Sequence, residues 1–186
     1  MALGPEVLAG LRTFVSLFTT WNRSINLASV KSPDDLVTRH LVDALALASM
    51  VGSDVASAID VGSGGGLPGI PLALLLGSTA LQLFEPNRKK AAFLRTAVRE
   101  LGLGGRVRVE TQAVEDPPSP ALRGGVDLAL SRATLAPPFW LAMGLQLVRP
   151  GGRVAVFAAG QSDAALPSPE SSLSYGEGRR LLLFRR

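Results

Sequence analysis

The residues from Ile59 to Pro71 read IDVGSGGGLPGIP, an acid at the end of an apolar run followed by five glycines in eight positions. Glycines remove side chains from a turn, so that backbone N–H groups can close directly on a ligand. Two registers of the same residues imply different ligands. Gly64-x-Gly66-x-x-Gly69 has the spacing of a dinucleotide-binding turn, with Glu85 at the distance expected for an acid that holds a ribose. Asp60-x-Gly62-x-Gly64-x-Gly66 instead places an acid on the strand itself, which favours a cationic ligand and repels a pyrophosphate. Glycines that shape the turn without any ligand are a third reading.

The second of these registers is the pattern of enzymes that use S-adenosylmethionine (SAM), whose reactive centre is a cationic sulfonium. Elsewhere the chemistry available is narrow. The chain has no cysteine and one histidine, His40, so thiolate nucleophiles, disulfides and His-rich metal sites are excluded. No Tyr-x-x-x-Lys pair or other proton donor suited to hydride transfer accompanies the glycine turn, which weighs against a nicotinamide-dependent oxidoreductase. Arg132 follows an apolar run, where open α/β sheets bind ligands at the carboxyl ends of strands; its bland reading is a surface arginine paired with Asp127 or Glu115. His40 and Asp43 lie three residues apart and are expected to form a structural hydrogen-bonded pair. Trp21 and the helically spaced phenylalanines read as core.

The 186 residues suffice for a single domain, 1–186, with 47% hydrophobic residues to build its core. Net charge is +4, and 16 of the 19 basic residues are arginine, the side chain that forks onto phosphate, so a polyanionic partner competes with simple compositional bias. Arg88, Lys89, Lys90, Arg95 and Arg99 fall on one predicted helix and could meet RNA phosphates or merely solvent. No window approaches the roughly 18 apolar residues of a membrane span, and no signal segment opens the chain, so a cytosolic protein is expected.

Helical periodicity over residues 5–21, and again from Ser32 onward, predicts a helical extension over 1–52. The core, 53–186, then alternates strands at 57–61, 80–84, 106–110, 126–130 and 153–158 with helices near 69–76, 87–102 and 136–147, and a final β-type run at 179–184. This alternation predicts a mostly parallel sheet. Residues 116–125 and 161–178 read as loops, the second a mobile connection rich in Ser, Pro and Gly.

Beyond the glycine turn, LPGIP, WNRSINL (21–27), RHLVDAL (39–45) and SRA (131–133) together resemble one family, the RsmG or GidB methyltransferases, over residues 17–160. The resemblance implies a class I SAM-dependent methyltransferase fold, Rossmann-like with a seven-stranded sheet. It also implies methyl transfer from SAM to N7 of a guanine in 16S ribosomal RNA, with the rRNA or the small ribosomal subunit as partner; a monomer is expected, although no sequence feature sets the oligomeric state. Carried onto this chain, Asp60, Gly62, Gly64, Gly66 and Leu67 bind SAM in the turn, Glu85 holds the ribose, Ala113 and Val114 flank the adenine, and Arg132 contacts SAM or the target base. In two places the chain departs from the pattern. Val114, followed by Glu115, stands where an acid is usual, so any contact at 114 must come from backbone; Ala158 or Ala159 stands where the family carries a lysine.

Guanine N7 bears an unshared pair and can attack a methyl group without prior loss of a proton, so a site nearly devoid of histidine suits it. The remaining alternative is a SAM-fold protein that binds the ribosome without catalysis.

Overall fold

The computed structural model describes residues 3–160, 165–176 and 178–186. The amphipathic N-terminal stretch forms α1 (Pro5–Ile25), which buries Leu11, Phe14 and Phe18 and ends at Asn26 in the left-handed region, φ 49°. The second helix begins as its sequence suggests. Ser32 Oγ accepts the Asp35 amide at 3.1 Å, Pro33 opens α2 (Pro33–Leu36), and Asp34 and Asp35 sit at the positive end of the helix dipole. The helix then widens into a π-helical turn (Val37–Leu41) before continuing as α3 (Val42–Val51). Such turns recur at functional sites. This one carries His40 and is followed at once by Asp43, which is only 3% exposed.

The strands are β1 (Ser57–Val61), β2 (Ala80–Phe84), β3 (Val107–Glu110), β4 (Val126–Ser131), β5 (Val148–Ala159), β6 (Ser171–Tyr175) and β7 (Arg179–Arg185), arranged β3-β2-β1-β4-β5-β7-β6. Strands β1 to β5 pair in parallel, and β7 runs antiparallel between β5 and β6. The expected α/β class, a mostly parallel seven-stranded sheet, is thus observed. Parallel strands are covered on both faces, so they read as continuous apolar runs; β4 is buried at all six positions. Chain order reverses between β1 and β4, the switch point at whose carboxyl ends open α/β sheets bind their ligands.

Two sequence boundaries differ from the structure. β5 starts at Val148, directly after α6 (Pro137–Leu147), because its first pairing, with Val126, lies across a bulge from the rest of the ladder. β6 falls inside the segment expected to be a mobile loop. As an edge strand bonded only to β7, it needs no apolar alternation beyond Leu173 and Tyr175, so its sequence reads as polar linker. Residues 161–164 and 177 of that segment lie outside the described residues.

Alternate residues of each central strand feed two cores. On one face Ala58, Leu81, Leu83 and Leu128 pack with α1, α3, α4 (Gly69–Leu75) and α5 (Arg88–Glu100); on the other Ile59, Val61, Ala129 and Val154 pack with α6. The extension is therefore continuous with the first core. Phe93 on α5 is its contact point, with the rings of Phe14, Phe18 and Trp21 at 6.3, 6.0 and 5.7 Å from its own. Truncation of this fully buried side chain removes a shared contact of three rings and leaves a cavity among them. Phe93→Ala is expected to lower unfolding free energy by about 3–5 kcal/mol, measured by urea titration.

Candidate functional site

The glycine turn is held from three sides. Gly62 N and Ser63 N both donate to Phe84 O at 2.9 Å, Gly66 N donates to Ser63 O at 2.8 Å, and Gly64 N donates to Glu85 Oε2 at 2.8 Å. Gly62, Gly64 and Gly66 have φ of 73°, 57° and 75°, a region that side chains rarely enter. A Cβ at Gly62 would strike the side chain of Thr134, and one at Gly65 would stand 2.6 Å from Phe18 Cε2. The turn is thus wedged between the loop after β4 and the N-terminal helix. Gly64 faces open space, its Cβ position meeting only Gly62 O at 3.8 Å.

Glu85 caps the cleft from the end of β2. Its second oxygen accepts Asn87 N at 2.8 Å, and each oxygen keeps a lone pair for a ligand hydroxyl. Leu67 is buried at 5% exposure in the first core, so only its backbone is available to a ligand. Ala113 is exposed, and Val114 packs inward against the second core, which leaves its backbone for any contact, as expected from the missing acid.

Asp60 requires a correction. It does not face the cleft: β1 turns its carboxyl toward α4, where it is 1% exposed, pressed against Gly69, with Oδ2 lacking any hydrogen-bond partner among the described residues. Burial pushes its pKa up to about 7, against the pull of Ser63 and Arg132. Asp60 supports the turn from beneath. Pro68 precedes the first residue of α4, and Pro71 occupies its third position, where no amide bond within the helix is lost.

Arg132 is the centre of a second constellation. One nitrogen, Nη1, lies 2.6 Å from His40 Nδ1 and 2.8 Å from Asp43 Oδ2. A guanidinium only donates, so His40 Nδ1 accepts and the imidazole proton sits on Nε2, which is buried without a partner among the described residues. His40 and Asp43 therefore meet through Arg132 rather than as the expected pair. Asp127, the alternative partner of Arg132, is taken by Arg149 at 2.5 Å. On the other side of Asp43, Tyr175 Oη donates to Oδ1 at 2.7 Å and Arg179 Nη1 to the same oxygen at 3.1 Å. Arg179 also stacks 5.1 Å over the Tyr175 ring. Sequence reasoning gave neither residue a role: Tyr175 ends β6, which it read as loop although SSLSY alternates, and Arg179 opens β7, which it read only as a final β-type run.

Next to this cluster lies a cavity of about 890 Å³, lined by Arg39, Arg132 and Arg179 together with Leu135, Phe157 and Tyr175. The turn and Glu85 lie at the carboxyl ends of β1 and β2, and Thr134, two residues from Arg132 in the cavity wall, packs on Gly62. The donor set fits a nucleoside-bearing cofactor: a carboxylate for ribose hydroxyls, glycine amides without side chains, and no cationic side chain in the turn to cradle a pyrophosphate.

Residues 8–176 match the model of GidB, rRNA small subunit methyltransferase G. The chain belongs to this family. A ribosomal RNA small subunit methyltransferase G from Xanthomonas campestris is 37% identical over 153 residues, covering 81% of this chain and 68% of the relative. One from Stenotrophomonas maltophilia is 38% identical, covering 82% and 69%. The fold is shared with an O-methyltransferase from Bacillus cereus solved with SAH, at TM-score 0.67, 18% identity and coverage of 94% and 91%. It is also shared with an O-methyltransferase of tomaymycin synthesis from Streptomyces achromogenes solved with SAM, at TM-score 0.59, 19% identity and coverage of 92% and 89%.

Ala158 or Ala159 stands at the place where the resemblance leads one to expect a lysine. In the β5–β7 ladder Ala158 sits opposite Arg180 and Ala159 opposite Arg179, and of these two arginines Arg179 lines the cavity, paired with Asp43.

His40 reports the state of the cluster. Burial, and next the Arg132 charge, push its pKa down to about 4 from an ordinary 6.5. A base with a depressed folded pKa binds more protons unfolded, so its contribution is complete above about pH 6.5 and is lost as pH falls toward 4. Asp60, with its raised pKa, acts with the opposite sign between about 4 and 7, so the informative quantity is a difference between variants. The stability of wild type relative to His40→Asn is expected to fall as pH drops from 6.5 to 4 and to be constant above 6.5, measured by thermal melts.

Proposed function

We propose that this chain transfers the methyl group of SAM to N7 of a guanine in 16S ribosomal RNA, acting in the cytoplasm as a monomer on the rRNA or the small ribosomal subunit, with 1–52 and 53–186 working as one domain. The observation that carries this reading is that the Gly62–Glu85 turn is joined to the Arg132 cavity through Thr134, which packs on Gly62, in a member of the methyltransferase G family.

In this reading the amides of Gly62, Gly64, Gly66 and Leu67 and the carboxylate of Glu85 hold the cofactor, Ala113 and Val114 flank its adenine, and Arg132 stands beside the acceptor base. When bound, SAM supplies an activated methyl group on a positively charged sulfur. Asp60 holds the turn in shape from below. Residue roles at the acceptor reduce to positioning, since N7 carries its own lone pair and releases no proton when it attacks. His40 is neutral at pH 7 with Nδ1 occupied by Arg132, so it orients that arginine and does not act as a base. Orientation of reactants supplies about 7–11 kcal/mol in well-aligned systems, which makes a rigid Arg132 worth more here than a titrating group.

Calorimetry is expected to show binding of SAM and of S-adenosylhomocysteine, with Glu85→Gln roughly 10-fold weaker through loss of charge-assisted bonds to ribose. Mapping of N7-methylguanine in 16S rRNA from cells with and without the gene should reveal one position that depends on it. Cofactor binding without any such position would replace the enzyme with a non-catalytic ribosome-binding protein.

A further inference from the structure

Four large apolar side chains of the described residues are exposed: Leu8, Val37, Leu135 and Phe139. Leu8 and Val37 border a separate groove between α1 and α2. Leu135 and Phe139, 40% and 70% exposed, bracket the start of α6, and Pro137 between them lines the arginine-bearing cavity, as does Leu135 itself. An aromatic ring more than two-thirds exposed gains nothing for the core, and its neighbour shows why it is held there. Trp140 is 2% exposed and donates Nε1–H to Ala155 O at 2.8 Å, which fixes the rotation of the helix start and turns Phe139 outward. Pro137 and Pro138 restrict the backbone immediately before it, so the ring is presented on a rigid mount.

The surroundings are suited to a nucleic-acid base. Leu135 and Pro137 line the cavity with Arg39, Arg132, Arg179 and Asp43; although Asp43 pairs with two of the arginines and Asp35 with Arg39, three arginines against one carboxylate leave the lining net positive, and the chain carries a net charge of +4. An exposed aromatic beside arginines matches the chemistry by which unpaired RNA bases are held: stacking on a ring, with cations for the flanking phosphates. A protein partner's apolar segment would have little use for three arginines at the contact.

We propose that Phe139, with Leu135, forms an apolar lip on which an unpaired base of the RNA stacks at the mouth of the arginine-lined cavity. The proposal rests on the reading of RNA as substrate, but it concerns binding and is tested without methyl transfer. The roll of phenylalanines that sequence spacing assigns wholly to the core thus has one exception, at the place where the acceptor strand must enter.

The test measures affinity of the full chain, with S-adenosylhomocysteine present, for small-subunit rRNA by filter binding and for a single-stranded oligoribonucleotide carrying 2-aminopurine by fluorescence quenching. Phe139→Ala is expected to bind both RNAs roughly 5- to 150-fold more weakly, the range set by loss of one stacked base. Phe139→Trp should restore binding and quenching, and Leu8→Ala, on the other groove, should leave both unchanged. Thermal melting and S-adenosylhomocysteine affinity of Phe139→Ala should match wild type, because the ring is exposed. Equal RNA affinity of Phe139→Ala and wild type, or no wild-type affinity at all, overturns the lip. Phe139-dependent binding in a protein that leaves no N7-methylguanine keeps the lip and overturns the proposed reaction.

Discussion

Asp43 is a carboxylate at 3% exposure, carried by the helical extension and enclosed by donors from three other segments: Arg132 after β4, Tyr175 on β6 and Arg179 on β7. A charge so placed is costly unless each lone pair is met, and removal of one partner of a buried pair typically costs about 3–5 kcal/mol. The three donors meet it from distinct strands, so their positions relative to α3 are fixed together. Arg179 extends the clasp by donating to the carbonyls of Thr38 and Arg39 in the π-helical turn, at 3.0 and 2.5 Å. Edge strand β6, weak in apolar residues, gains through Tyr175 an anchor that its single ladder does not provide.

The same extension sets the cofactor side. Phe18 and Leu27 approach Gly65 so closely that a side chain there would displace one of them, and Phe18 is in turn held by Phe14 and Phe93. The glycine turn therefore owes its shape to packing by the extension as much as to its own φ angles. The β4 residues add a third constraint, since Ser131 Oγ donates to Val61 O at 2.7 Å where the turn begins.

Sequence patterns revealed most of the architecture because most of it rests on local signals. The strand and helix alternation, the Ser32 cap, the glycine turn and the acid at Glu85 each follow from spacing within a few residues. What escaped depends on contacts distant in the chain. Arg132 meets Asp43 at 89 residues' separation and Tyr175 meets it at 132, and no periodicity encodes either. Asp60 was misplaced for a different reason: its spacing relative to the glycines is correct, but strand alternation sends its side chain to the α4 face, where Gly69 leaves it room. Phe139 eluded the pattern because helical spacing cannot distinguish it from the buried Trp140 beside it.

The segment from Ser131 to Phe139 joins the two halves of the site. Ser131 ties it to β1, Arg132 to the extension, and Thr134 covers Gly62 in the glycine turn, while Ala133, Leu135 and Pro137 line the arginine-bearing cavity. To make these contacts within seven residues the backbone must fold back sharply, and Ala133 accordingly adopts φ 57°, which costs a non-glycine residue on the order of 1–2 kcal/mol. That strain is sustained because the flanking residues are each pinned to a different element. A loop pinned in this way cannot shift at the cavity without moving Thr134 against the turn, so the spacing between the glycine turn and the arginine-lined cavity is built into one short stretch of chain.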